Sequence, residues 1–153
     1  RESKMDIVTP EQRSKNMAAI RSKDTKPEVY FRKLLFAKGY RYSLNSKTVP
    51  GHPDIYLRQY NTAVFVHGCF WHRHEGCKFA YMPKSRIEFW QNKFEANRKR
   101  DIVVRNELHE KGIKCLVVWE CSIKKMGKSE LIGSEYIKQI EAFLESKELY
   151  REI

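Results

Sequence analysis

The sequence predicts a mixed α/β fold, a central mixed sheet flanked by helices. Three observations predict it. Two apolar, β-branched runs, TAVFVH at 62–67 and IKCLVVWE at 113–120, read as buried strands. Helical signals stand before, between and after them. The 153 residues contain no repeat, linker or low-complexity tract, so we expect one domain over 1–153.

The elements follow in order. Residues 1–24 form a basic, mostly polar arm that Met17 and Ile20 could anchor. Thr25-Lys-Pro-Glu28 is a capping box with proline in the first turn. The helix after it is expected to bury Val29, Phe31, Leu34, Leu35 and Phe36 and to stop at Gly39. Residues 39–44 read as a first strand. A turn at Pro50-Gly51 leads to an extended stretch from Asp54 to Arg58, and a turn at Tyr60-Asn61 leads to the 62–67 strand. Ser85-Arg-Ile-Glu88 reads as a second capping box, opening a charged helix that ends at Gly112 with Ile87, Trp90 and Phe94 at helical spacing. The 113–120 strand follows. An amphipathic helix over 134–148 carries Ile137, Ile140, Phe143 and Leu144. The expected order is helix, three strands, helix, strand, helix.

Composition narrows the function. Apolar residues make up 41% and charged residues 32%, which suits a folded chain rather than a disordered one. No apolar run approaches the roughly 20 residues that span a bilayer, and RESKMDIVTP lacks the apolar stretch of a secretory leader; Met5 is a candidate native start. The net charge of +11 points to a polyanionic partner, nucleic acid before membrane, since no basic amphipathic helix with an exposed apolar face stands out.

The densest chemistry lies in VFVHGCFWHRHEGC, residues 64–77. Cys69, His74 and Cys77 have the spacing C-x4-H-x2-C, which suits zinc in a reducing compartment better than a disulfide framework. A fourth ligand must come from elsewhere. Cys121, just past the 113–120 strand, could reach the loop if the two strands are neighbours; His67 and His72 compete for the place. Cys115, mid-strand among apolar residues, reads as a buried thiol.

Asp54 begins a strand, and a second strand ends some residues later. That arrangement resembles the PD-(D/E)xK nucleases, in which the two strands share a magnesium ion. Here Phe65-Val66-His67 stands where E-x-K is expected, and a neutral imidazole could replace the lysine. Asp54 also reads as an ordinary strand-start residue, and Glu28 as the reciprocal partner in its capping box.

Longer motifs extend the comparison. P-G-x-P-D at 50–54, F-x-H-G-C-F-W-H-x-H at 65–74, R-x-E-F-W at 86–90, R-S-K-N-M-x-A-I at 13–20 and V-W-E-C at 118–121 together resemble the very-short-patch repair (Vsr) DNA mismatch endonucleases, over roughly residues 10 to 125. The resemblance implies a restriction-endonuclease-like (PD-(D/E)xK-type) fold with a zinc-stapled loop. It implies a cytoplasmic, nucleoid-associated bacterial enzyme that nicks double-stranded DNA 5′ to the thymine of a T:G mismatch. Magnesium would be held by Asp54 and the backbone carbonyl of Val66, where a threonine is familiar. His72 would activate water, His67 would assist at the phosphate, Glu28 would hold a water beside the metal, and Asp101 would support the histidines. Asp101 also reads as a helix-surface ion-pair residue.

Zinc would be held by Cys69, His74, Cys77 and Cys121. Glu75 and Gly76 separate His74 from Cys77, one residue more than the family pattern leads us to expect, which leaves Glu75 and His72 as competitors for His74. Phe70, Trp71 and Trp90 would wedge between base pairs beside the mismatch, where unstacking is cheapest; core packing is the alternative for each. Arg13, Lys15, Arg21, Lys23, Arg98, Lys99 and Arg100 are candidates for phosphate contacts. Monomeric action and coupling to mismatch-repair and DNA polymerase proteins are also implied. Two rivals stand beside this reading: a restriction-like nuclease of other DNA specificity, and a zinc-stabilised DNA-binding module without catalysis, which the missing E-x-K favours. A zinc hydrolase is a weaker third, because four protein ligands leave no open position.

Overall fold

The computed structural model describes residues 24–153. The arm residues Arg13, Lys15, Met17, Ile20, Arg21 and Lys23 therefore lie outside the described residues.

The described chain is mixed α/β, with a five-stranded sheet in the order β1-β2-β3-β4-β5. Helix α1 (Lys26–Ala37) leads into β1 (Ser43–Leu44), β2 (Ile55–Leu57), a 3-10 turn (Arg58–Tyr60) and β3 (Thr62–His67). Helix α2 (Ile87–Glu110) crosses to β4 (Lys114–Trp119), and α3 (Glu120–Met126) and α4 (Glu130–Glu145) cross to β5 (Tyr150–Glu152). β1, β2 and β3 pair antiparallel, whereas β3, β4 and β5 run parallel. No helix among the described residues is long and apolar enough to cross a membrane.

Strand geometry sorts the side chains to two faces with a period of two. Val64, Leu116 and Val118 enter one core with Phe31 and Leu35 of α1, Ile123 of α3 and Ile137, Ile140 and Phe143 of α4. Ala63, Cys115, Val117 and Trp119 enter the other, under Leu108 and Val104 of α2. On the second face, His67 and Trp119 stand in register at the carboxyl ends of β3 and β4.

Several expectations are corrected. The first strand is confined to Ser43–Leu44, and Arg58 opens the 3-10 turn instead of extending β2. The Thr25 cap forms, its hydroxyl accepting from Glu28 N, but Phe36 is exposed, with the Arg41 guanidinium over its ring. The second capping box does not form: α2 begins at Ile87 after Arg86, which has positive φ and makes no side-chain cap. Ile87 is exposed; Phe94, Val104 and Leu108 face inward instead. The last helix starts at Glu130, where the Ser129 hydroxyl accepts from Ile132 N, and stops at Glu145. Helix α3 and strand β5 were not expected.

Gly51 has φ +81, and a β-carbon there would collide with Val104 of α2. Only glycine permits this turn to pass so close to the helix and deliver Asp54 to the start of β2.

Lys114 is a strand lysine turned inward. Its Nζ donates to the carbonyls of Phe143 (2.6 Å), Leu144 (3.1 Å) and Ser146 (2.7 Å), so it caps the carboxyl end of α4. Lys114→Met leaves those carbonyls unpaired and is expected to cost roughly 2–4 kcal/mol. A lower urea midpoint at unchanged m-value is the check.

Candidate active site and metal centre

One groove of about 1000 Å³ runs along the carboxyl ends of β3 and β4 beneath α2. Asp54 enters it from the start of β2, because antiparallel pairing brings that end beside the end of β3. Its Oδ2 accepts from Val66 N at 2.7 Å. Glu28, from the first turn of α1, is buried beside it. Burial first, and then the Asp54 charge, push the Glu28 carboxyl up to about 7. Its Oε2 accepts no hydrogen bond among the described residues and lies 3.7 Å from Arg32 Nη1. Two crowded carboxylates form an oxygen donor pair that suits a hard divalent cation.

A second array faces them. His72 Nδ1 lies 2.7 Å from Asp101 Oδ2 of α2, and the His72 ring stacks on His67 at 3.8 Å and 5°. The carboxylate favours the tautomer with the proton on Nδ1, leaving the Nε2 lone pair of His72 free to accept a proton. His67, His72 and Asp101 also bring ligand atoms within 4.8 Å of one another; two imidazoles and one carboxylate suit magnesium poorly.

Burial, reinforced by His72 and opposed by Asp101, lowers His67 to about 3 from 6.5. The unfolded chain therefore takes up a proton near pH 6.5 that the folded chain refuses until near pH 3. The stability gained by keeping His67 neutral is complete above pH 6.5 and is lost as the pH falls toward 3. Urea unfolding is expected to show stability declining between about pH 6.5 and pH 4, less steeply in His67→Gln than in the wild type.

The cysteine–histidine cluster lies on the far side of His67. Cys69, His74, Cys77 and Cys121 bring their ligand atoms within 4.8 Å of one another, and Cys121 Sγ stands 3.4 Å from His74 Nδ1. All four cysteines of the chain are free thiols, and Cys115 is buried apart from the cluster. Bond lengths of about 2.1–2.3 Å place tetrahedral donors roughly 3.5–4 Å apart, so the four fit zinc. Burial pushes the Cys69 thiol up to about 12; a bound cation is what would convert it to thiolate. The β3–β4 register brings Cys121, at the start of α3, to the loop after β3.

The aromatics gather at the groove mouth. Phe70 meets Trp71 at 5.3 Å, Trp90 at 5.5 Å and Phe94 at 5.1 Å, and Trp71 meets Trp90 at 5.6 Å. Phe94 is buried, while Phe70, Trp71 and Trp90 are half-buried. Arg73 pins their loop by donating to the Phe70, Tyr81 and Ala80 carbonyls while its guanidinium lies 3.9 Å over Phe94. Asn97 of α2 donates to Trp71 O at 3.3 Å. Sequence reasoning missed Arg73 and Asn97, whose spacing carries no signal. Arg98 and Arg100 line the groove, whereas exposed Lys99 pairs with Glu95 at 3.9 Å outside it.

The DNA mismatch endonuclease Vsr from Escherichia coli K12 is 34% identical over 139 residues, 91% of this chain and 87% of that protein. The chain belongs to the Vsr family. The sequence model described as DNA mismatch endonuclease Vsr matches residues 5–78, which hold Glu28, Asp54, both stacked histidines and three members of the cysteine–histidine cluster. Other relatives are the type II nicking enzymes V.NmeAIP of Neisseria meningitidis serogroup A and V.XorIIP of Xanthomonas oryzae pv. oryzae. They are 50% and 44% identical, over 78% and 82% of this chain and 84% and 91% of their own lengths.

Proposed function

We propose that this chain is a DNA endonuclease that nicks one strand of a duplex 5′ to the thymine of a T:G mismatch, by magnesium-dependent phosphodiester hydrolysis, and so initiates very-short-patch repair. The observation that carries the reading is the meeting in one groove of Asp54 with Glu28, the Asp101–His72–His67 array and the half-buried aromatics. A binding module without catalysis has no use for a carboxylate-oriented imidazole facing two crowded acids.

Asp54 and the Val66 carbonyl would hold the magnesium ion. When bound, magnesium polarises the phosphate and lowers the pKa of nearby water. Asp101 holds the His72 imidazole, His72 Nε2 takes the proton of the attacking water, and neutral His67 donates a hydrogen bond at the phosphate. Glu28 orients water beside Asp54. Cys69, His74, Cys77 and Cys121 would hold a structural zinc, fixing the loop that carries Phe70 and Trp71. Those rings, with Trp90, enter the base stack where a mismatch makes unstacking cheap. Arg98 and Arg100, which line the groove, would meet backbone phosphates, and the basic arm with Arg13, Lys15, Arg21 and Lys23 would add to them. Each neutralised phosphate contributes about 0.9 to the log–log salt slope of binding. The restriction-endonuclease-like fold, monomeric action, a cytoplasmic site of work and handover to mismatch-repair and polymerase proteins belong to the same reading.

End-labelled duplexes differing only in T:G or T:A test the proposal. Strand-specific nicking of the T:G duplex alone supports it; equal cutting of both contradicts mismatch specificity. Two relatives are named type II nicking enzymes, which favours a second reading, a nicking endonuclease whose DNA specificity is set by the sequence around the pair. Varying the flanks around a fixed T:G pair separates the two.

A further inference from the structure

Trp119 touches both halves of the site. It ends β4 in register with His67 and is only 6% exposed. Its ring lies on the His74 imidazole at 4.2 Å and 5°, and meets His67 edge-on at 5.3 Å and 71°. His67 in turn stacks on His72. The one polar atom of the indole, Nε1, donates to Glu152 Oε1 at 2.9 Å. Glu152 Oε2 accepts from the Tyr150 hydroxyl at 2.6 Å, and the Arg105 guanidinium of α2 covers the Tyr150 ring at 3.5 Å. Backbone bonds from Trp119 N to Ile153 O (2.9 Å) and from Ile153 N to Val117 O (2.8 Å) fix β5 against β4.

Stacked rings resist separation but slide easily past each other, since their attraction is only about 0.5–1.5 kcal/mol beyond burial and weakly directional. A hydrogen bond at the edge of a ring supplies the missing lateral restraint. Glu152 supplies it for Trp119, and Trp119 passes it to His74 on one side and to the histidine stack on the other.

We infer that Trp119 and Glu152 are positioning residues, through which strand β5 sets the His67–His72 stack without touching DNA. The inference rests on the reading of His72 as the group that takes the proton from water.

The test uses the zinc-loaded full chain carrying Glu152→Ala, Glu152→Gln or Trp119→Phe. Single-turnover nicking, DNA affinity, zinc content and thermal stability are measured for each. Glu152→Ala and Trp119→Phe are expected to slow nicking about tenfold, with unchanged affinity and zinc content. Glu152→Gln, whose amide oxygen still accepts from Nε1, is expected to stay within about twofold of wild type. An unchanged rate in Glu152→Ala overturns the inference, as does a loss that merely follows loss of zinc or of folded protein. If the wild-type chain does not nick, the proposed function has failed, and imidazole NMR decides the inference by itself. Displaced His67 and His72 signals in Glu152→Ala, restored in Glu152→Gln, uphold it; unmoved signals overturn it.

Discussion

His72→Ala is expected to slow nicking by roughly 10²- to 10⁴-fold, the usual contribution of a positioned general base, while DNA affinity changes little. The expectation follows from the geometry of one nitrogen. Asp101 occupies Nδ1 at 2.7 Å, so Nε2 is the free base, whereas desolvation in the groove wall lowers His67 to about 3 and keeps it neutral near pH 7. Asp101→Asn leaves the ring in place but can stabilise the wrong tautomer, so it is expected to slow nicking by a smaller factor, about 10- to 100-fold. Single-turnover assays separate these effects from binding. If His67→Gln proved more damaging than His72→Ala, the roles of the two histidines would have to be exchanged.

Removal of the zinc is expected to have the largest effect on stability. The loop between β3 and α2 contains no strand and no α-helix, so side-chain packing and the four-ligand cluster hold it. Chelation, or Cys121→Ser, is expected to cost about 3 kcal/mol or more, lowering the melting temperature by roughly 6–12 °C. Nicking should disappear with the zinc, because His72 lies between Cys69 and His74 in the same loop. Metal analysis of the purified chain checks the premise, with about one zinc per chain expected for a four-ligand structural site. A chain that carries no zinc, yet melts and nicks as before in the presence of a strong chelator, would remove the staple from the account.

The strands were legible where both faces of the sheet are covered. TAVFVH and KCLVVW lie between two helical layers, so their apolar character is continuous and the parallel pairing follows. That pairing is why Cys121 could be placed near Cys69 from sequence alone. Strand β5 was illegible because YRE is short, polar and at the sheet edge, with Glu152 exposed. Helix α3 is too brief to establish a period. The capping signature at Ser85 misled because Arg86 enters α2 in the left-handed region and lays its guanidinium over Phe89. Lys114 carried no signal of burial, and only a carbonyl cluster 29 to 32 residues away explains it. In the site, local motifs gave the histidines and cysteines. The Trp119–Glu152 bond depends on two elements that are distant in sequence and carried no signal.

The central claim, metal-dependent strand scission that begins at Asp54, is tested most directly by one measurement. An end-labelled T:G duplex is incubated with wild-type or Asp54→Ala protein, in magnesium or in EDTA. The account predicts a single nick 5′ to the mismatched thymine only for wild type in magnesium. Equal nicking by Asp54→Ala, or by wild type in EDTA, would contradict it.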